Sequence, residues 1–148
     1  MPKQFPLRTL LELSQARVDD ATKQLGLLLA SEQEGEQKLL LLTRYRDEYH
    51  ARFLEAAKAG LDPEQWRNFL AFLGRLDEAI SQQQACVASS KQRTADGQKA
   101  WHDERNRLRA YDTLSQRFRM AELRAEVKAE QRLSDEHVAN AYRKGSGE

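Results

Sequence analysis

The three histidines and a Ser-Asp-His cluster near the C-terminus are the residues of this sequence best suited to metal binding or catalysis. His50, His102 and His137 lie far apart in the chain, and none belongs to a His-x-x-x-His pair. Their spacing therefore does not predict a zinc site. Ser134, Asp135 and His137 have the residue types of a catalytic triad, but close neighbours on one helix cannot converge on a substrate together with an oxyanion hole. The sequence predicts no metal and no catalytic residue.

Other binding chemistry also lacks its residues. No Gly-rich phosphate-binding motif is present. The carboxylates are abundant, but the sequence indicates no pocket that would shift the pKa of one of them, as general acid–base catalysis requires. Arg105, Arg107 and Arg109 alternate along a helix, so they form no stripe that could follow a phosphate backbone. With 24 Lys and Arg against 23 Asp and Glu, the net charge of +1 attracts no polyanion. We expect no cofactor, no small-molecule substrate and no nucleic acid, with nucleic-acid binding as a minor alternative.

The location is predicted from the cysteine and from the apolar runs. Cys86 is the single cysteine, which excludes an internal disulfide, fits a reducing cytoplasm and predicts a small semi-buried residue. The apolar runs 27–30 and 39–42 are far shorter than the roughly 20 residues of a membrane-spanning helix. We predict a cytoplasmic protein whose membrane contact, if any, is peripheral.

Two apolar stripes with heptad spacing would position these side chains. One stripe extends over residues 7–56 and the other over residues 69–118, and the break between them has Gly60 as a helix stop, Asp62 as an N-cap and Pro63 at the first helical position. A connection this short makes the helices antiparallel and pairs residues whose numbers sum to about 126. The predicted fold is all-α: a long antiparallel two-helix coiled-coil hairpin with a protruding C-terminal helix.

A single helical-hairpin domain, 1–148, follows from this pattern. Its parts are helix one at about 6–59, a turn at 60–63, helix two at about 63–142 and a flexible tail at 143–148. Asp96-Gly97 is a turn signal that would give a three-helix bundle, but the unbroken heptad phase from Val87 to Trp101 favours a continuous helix. Leu7 would stand opposite Arg119, so the helix from about 120 onward has no partner.

The weakest positions of the two stripes fall at the same level. Glu32 and Gly35 of helix one stand opposite Ser90 and Thr94 of helix two. Polar and small residues weaken a coiled-coil seam. The sequence therefore predicts a flexible waist at this level.

A second row of side chains lies beside the seam near the predicted turn. Tyr45 and Phe72 fall outside the seam and widen its apolar band on one flank. Such a flank either offers a docking surface to another protein or belongs to a broad hairpin core, and the sequence leaves both open. The row comprises Lys38, Leu42, Tyr45, Tyr49, Phe72, Leu76, Ala79 and Gln83.

With these residues the chain resembles the flagellar export protein FliJ family over nearly its whole length. The resemblance is carried by length, order and spacing together: Phe5, Leu7, Leu10 and Leu11 at the start, Leu42, Tyr45 and Tyr49, then Phe72, Leu76 and Ala79, and the late run 126–136. It implies an antiparallel coiled coil, similar to the central shaft of rotary ATPases, that inserts in the pore of a hexameric export ATPase and promotes its assembly and activity.

The resemblance also implies two further partners, the cytoplasmic domain of the export-gate membrane protein and the export chaperones, which such proteins escort. The family's gate-binding patch corresponds to Leu42, Tyr45, Tyr49, Phe72, Leu76 and Ala79. For the ATPase ring, the charged C-terminal helix is our candidate, with the residues Arg124, Lys128 and Arg132.

Two other interpretations remain. The chain could be a generic coiled-coil scaffold or adaptor that associates with itself through its weaker second stripe, and a concentration-dependent dimer would favour that interpretation. An enzyme is not expected, and turnover by the purified chain would be needed to support one.

Overall fold

The computed structural model describes residues 3–146, and in this range the protein consists of two long helices packed together, with no strand. Helix α1 is Arg8–Ala59, 52 residues, and helix α2 is Pro63–Ser146, 84 residues. Both are rich in Leu, Ala, Gln, Glu, Arg and Lys, which favour helix. The predicted all-α fold with two packed helices is confirmed. No helix in the described range is long and apolar enough to cross a membrane.

The connection between the helices has the predicted stop and start. Gly60 has a φ of 96°, which a residue without a side chain adopts at little cost, and its N–H donates to the carbonyl of Ala57 at 3.2 Å. The Gln65 N–H then donates to Asp62 Oδ1 at 2.8 Å, and the Asp62 N–H donates to Gln65 Oε1 at 3.3 Å. This reciprocal pair is a capping box that fixes the start of α2.

Every seam position predicted from the two stripes is buried or half-buried. The pairing between the stripes differs from the expected sum of about 126. The ring of Phe53 contacts that of Phe69, and Trp101 Nε1 donates to Thr22 Oγ1 at 3.0 Å. The residue numbers in these two pairs sum to 122 and 123, so the pairing is symmetrical about Leu61, whereas the predicted sum of about 126 is symmetrical about Pro63. Only residues 60–62 lie outside both helices, as predicted, and because their midpoint is Leu61, the expected sum of about 126 was too large.

Helix α2 continues through Asp96-Gly97 without a break, as the heptad phase indicated. It also runs to Ser146, beyond the expected end at about 142. Arg143 and Lys144 in the last turn favour this helix end through their charge, and Ser146 Oγ donates to the Arg143 carbonyl at 3.2 Å. Residues 147 and 148 of the predicted tail lie outside the described residues.

The chain forms two compact units. The first, which we name the hairpin unit, is Asp20–His102. Its buried apolar residues are Phe53, Leu73, Leu76 and Val87, whose exposed fractions are between 7% and 9%. The single-domain expectation stays a prediction.

The predicted waist of the hairpin unit is held by polar contacts. Thr94 Oγ1 donates to the Ser90 carbonyl at 3.0 Å and lies 3.4 Å from the Leu28 carbonyl across the seam. Gln83 Nε2 donates to the Gly35 carbonyl at 3.0 Å. The buried hydroxyl of Thr94 and the side-chain amide of Gln83 therefore join the two helices at this level, where large apolar residues are missing. The flexibility of this level stays a prediction.

The second unit, which we name the terminal unit, comprises residues 3–19 and 103–146 in the described range. Ser14 and Ser115 are its buried residues, at 4% and 5% exposure, and the rings of Phe5 and Phe118 lie 5.6 Å apart. Beyond this ring pair, every residue from 123 to 146 is exposed. Within the described chain, the end of α2 therefore has no packing partner, as the sequence predicted for residues from about 120 onward.

Cys86 is exposed, so the expectation of a semi-buried cysteine was wrong. The residue lies one position before the seam residue Val87 and borders an open groove with Ser89 and Arg93. A position beside the seam, rather than in it, leaves the thiol in contact with solvent.

Gly97 provides a stability prediction, because a Cβ there would lie 2.6 Å from Leu28 Cδ1, whereas one at Gly74 would meet nothing within 4 Å. Gly74→Ala should raise the free energy of unfolding by about 0.5–1 kcal/mol through helix propensity. Gly97→Ala should gain clearly less, since Leu28 must move, and Gly97→Leu should destabilise the protein by about 1–3 kcal/mol. Urea unfolding followed by circular dichroism measures all three. Equal gains for the two Ala variants would contradict a close approach at Gly97.

Candidate docking surface

The six residues of the predicted gate-binding patch come together in the hairpin unit. Leu42, Tyr45 and Tyr49 are spaced by three and four along α1, and Phe72, Leu76 and Ala79 by four and three along α2. These spacings place each set on one side of its helix. We name the six residues the aromatic patch.

The aromatic rings of the patch contact one another across the two helices. The ring of Phe72 lies between the tyrosines, with its centroid 4.5 Å from that of Tyr49 and 6.2 Å from that of Tyr45. Both contacts are edge-on, at 60° and 84°, which is a favoured arrangement for aromatic pairs. The patch is therefore a packed group of rings, and its shape is set before any partner arrives.

Exposure differs strongly within the patch. Leu76 is buried at 8% exposure, whereas Tyr45 is 48% exposed. Tyr49 and Phe72 are half-buried between these extremes. A large exposed ring that is held by a neighbouring ring resembles the aromatic anchors that dominate many protein interfaces. Part of the patch is therefore hairpin core and part is accessible, and its use as a docking surface stays a prediction.

The row of rings extends further toward the connection than the sequence indicated. Tyr49 also contacts Phe69 at 5.3 Å, Phe69 contacts Phe53 at 5.5 Å, and Phe53 contacts Trp66 at 5.1 Å. Trp66 remains 45% exposed at the far end of this row. The sequence signal that could have indicated this contribution is the position of Trp66 three residues before Phe69, which places both rings on the same side of α2.

Polar contacts fix the same level of the two helices. Arg46 Nε lies 2.9 Å from Asp77 Oδ1, and both residues are immediate neighbours of patch residues. Their side chains are 43% and 55% exposed, so the ion pair contributes only about 0.2–1 kcal/mol. Gln83, the last residue of the predicted row, uses its amide to bind the Gly35 carbonyl, while Lys38 is exposed beside the patch. The row therefore consists of an apolar part, a glutamine that binds the other helix, and an exposed lysine.

The residues predicted to face the ATPase ring lie in the terminal unit. Arg124, Lys128 and Arg132 are all exposed, and they repeat every four residues along the unpacked end of α2. None of the ion pairs in the described part of the chain involves them. Their charges are therefore available to a partner.

The residues considered for chemistry are not brought together. Ser134, Asp135 and His137 are exposed on α2, and no hydrogen bond joins them in the described residues. His50 lies beside Phe53 at 6.4 Å, and His102 beside Trp101 at 5.0 Å. Between residues 3 and 146, no three His, Cys, Asp or Glu side chains are grouped to hold a metal ion.

Comparison with known proteins gives one consistent result. The family model described as "Flagellar FliJ protein" matches residues 3–147. Proteins of that name from Salmonella typhi and from Escherichia coli strain K12 are each 30% identical to the chain over 141 residues. Each alignment covers 95% of this chain and 96% of the relative, so the similarity extends over both proteins almost completely.

Proposed function

The chain belongs to the flagellar FliJ family and so has a role in flagellar protein export, and we propose that it fulfils this role by binding other proteins, without catalysis of its own. Three partners are proposed: the hexameric export ATPase, the cytoplasmic domain of the export-gate membrane protein, and the export chaperones. Its proposed location is the cytoplasm, in peripheral association with the inner-membrane export apparatus.

The aromatic patch supports the proposed contact with the export gate. Tyr45 offers an exposed ring in edge-on contact with Phe72, and Leu76 of the same patch is buried. Rigid aromatic anchors lose little conformational freedom when they bind, so they contribute strongly to affinity. The six patch residues together form the proposed gate-binding site.

The unpacked end of α2 supports the proposed contact with the ATPase ring. Arg124, Lys128 and Arg132 are exposed and make no ion pair within the described chain, so an acidic surface could bind them with little loss of existing contacts. We propose that this helix inserts in the ring and stimulates hydrolysis. A generic coiled-coil scaffold is the second candidate, because a long exposed helix face also suits self-association.

The most direct experiment mixes the full chain with its cognate export ATPase. We expect the rate of ATP hydrolysis and the fraction of hexamer both to increase with added protein. Turnover is followed by phosphate release, and assembly by light scattering. If neither quantity changes, the ring contact is wrong and the scaffold interpretation is favoured. Hydrolysis by the chain alone would contradict its non-catalytic role.

A further inference from the structure

The exposed end of α2 carries an apolar stripe in addition to its charges. The large apolar residues of this stripe are more than half exposed, with fractions between 52% and 79%. At 3.6 residues per turn they fall within a face about 100° wide, as in helices that pack against a partner. They are Met120, Leu123, Val127, Val138 and Tyr142.

The stripe is apolar at both ends when it is read in either direction from Gln131. In an antiparallel pair of two copies with Gln131 at the twofold axis, Met120 of one copy lies level with Tyr142 of the other, and Leu123 lies within one residue of the level of Val138. Each contact then occurs twice, as a twofold interface requires. Apolar residues therefore meet apolar residues at both ends of the segment, whereas Val127, closer to the axis, lies level with Asp135 of the other copy.

The charges beside the stripe fit antiparallel pairing better than parallel pairing. Lys128 and Asp135 border the stripe on one flank, and antiparallel pairing brings Lys128 of each copy within one residue of the level of Asp135 of the other. Neither residue makes an ion pair in its own chain within the described residues. On the other flank the two copies of Glu130 lie near each other at the axis, which is one like-charge contact against two opposite-charge contacts. A parallel pair would instead place Arg124 beside Arg119 of the other copy, which sets like charges together. Charge thus favours a second copy in the antiparallel direction.

We propose that residues 120–142 are a homodimerisation surface, which pairs antiparallel with the same segment of a second copy. The interface is small, and Arg124, Gln131 and Ser134 interrupt its apolar stripe, so we expect a reversible dimer with a Kd of about 10–100 µM. This inference goes beyond the proposed function and needs no export component. Its surface, residues 120–142, is distinct from the second stripe at residues 69–118, through which a generic scaffold would associate with itself. Where the ATPase ring binds the same segment, ring and second copy compete for it.

Sedimentation velocity of the full chain over a range of concentrations tests the dimer. Val127→Glu should raise the dimer Kd at least tenfold, because it puts a charge in the stripe of each copy, level with Asp135 of the other. Leu133→Glu makes the same kind of change at a residue that is 67% exposed but lies outside the stripe, so it should leave the Kd unchanged. A chain that stays monomeric at about 500 µM would overturn the proposal, as would equal effects of the two variants.

The charge pair tests the direction of pairing. Lys128→Asp and Asp135→Lys should each weaken the dimer, and the two substitutions in one chain should restore it, since the attraction is only reversed. Failure to restore would count against antiparallel pairing. Circular dichroism should show the same helix content in all these variants.

Disulfide trapping gives a second measure of direction. In a Cys86→Ser background, chains with Leu123→Cys mixed with chains with Val138→Cys should form a mixed disulfide on oxidation. A disulfide between two chains that both carry Leu123→Cys, with no mixed product, would indicate parallel pairing and overturn the inference. These assays use the chain alone, so their failure is distinguishable from failure of the ATPase contact.

Discussion

Replacing Tyr45 with Ala is expected to weaken binding to the cytoplasmic domain of the export gate by about tenfold or more, with no change in helix content. Tyr45 is the accessible ring of the aromatic patch at 48% exposure, while the core beneath it depends on Phe72, Tyr49 and Leu76. Its removal therefore takes away the anchor and leaves the hairpin packed. Isothermal titration calorimetry measures the affinity, and circular dichroism measures the helix content.

Leu54→Ala is the matched control for this variant. Leu54 is 49% exposed on the same helix, but its spacing from Tyr45 places it on another face. We expect its affinity for the gate to equal that of the unmodified chain. Unchanged affinity of the Tyr45 variant would contradict the assignment of the patch.

Removing all residues after Arg119 is expected to abolish most of the stimulation of the export ATPase. The deletion takes away the exposed helix end with Arg124, Lys128 and Arg132, while the ring pair of Phe5 and Phe118 remains. The rest of the terminal unit should therefore keep its packing. Steady-state ATP hydrolysis at saturating chain measures the effect.

A full-length chain that carries Arg124→Glu, Lys128→Glu and Arg132→Glu separates the effect of charge from that of length. If these cations contact the ring, the triple variant should stimulate hydrolysis much less than the unmodified chain, because reversed charges repel an acidic surface. If the truncated chain stimulates as well as the intact one, the ring-facing role of this segment is refuted.

The sequence predicted the seam of the hairpin well. Alternating spacings of three and four determine which side of a helix is apolar, and this depends only on helical geometry. All positions that the stripes assigned to the seam are buried or half-buried, including weak ones such as Ser14, Ser90 and Thr94. Position in the heptad therefore predicted burial even where the residue type did not.

The stagger between the helices was less predictable, because it depends on the geometry of the connection. With Gly60 in a left-handed conformation and Asp62 as the cap, the pairing centres on Leu61. That shift brings Trp101 to Thr22, whereas the expected sum of about 126 would pair Trp101 with Leu25. The backbone conformation of the three connecting residues thus determines which residues are in contact far along both helices.

The candidate docking site was predicted in part. Spacing and family resemblance indicated which residues share a flank, but not how deeply each of them is buried. Leu76 is a seam residue and is buried, whereas Tyr45 lies outside the seam, and the position of the Phe72 ring between the two tyrosines was not predictable. The bond from Gln83 to the Gly35 carbonyl was likewise not predictable, since a glutamine at a seam position is equally compatible with exposure to solvent.

In the described part of the chain, buried residues that carry a hydroxyl are as numerous as buried hydrophobic residues. The former are Ser14, Ser90, Thr94 and Ser115, and the latter are Phe53, Leu73, Leu76 and Val87. Exposure of apolar surface raises the heat capacity on unfolding, and exposure of polar surface lowers it. The protein should therefore have a small heat-capacity increment for its size. Its stability would then change only gradually with temperature.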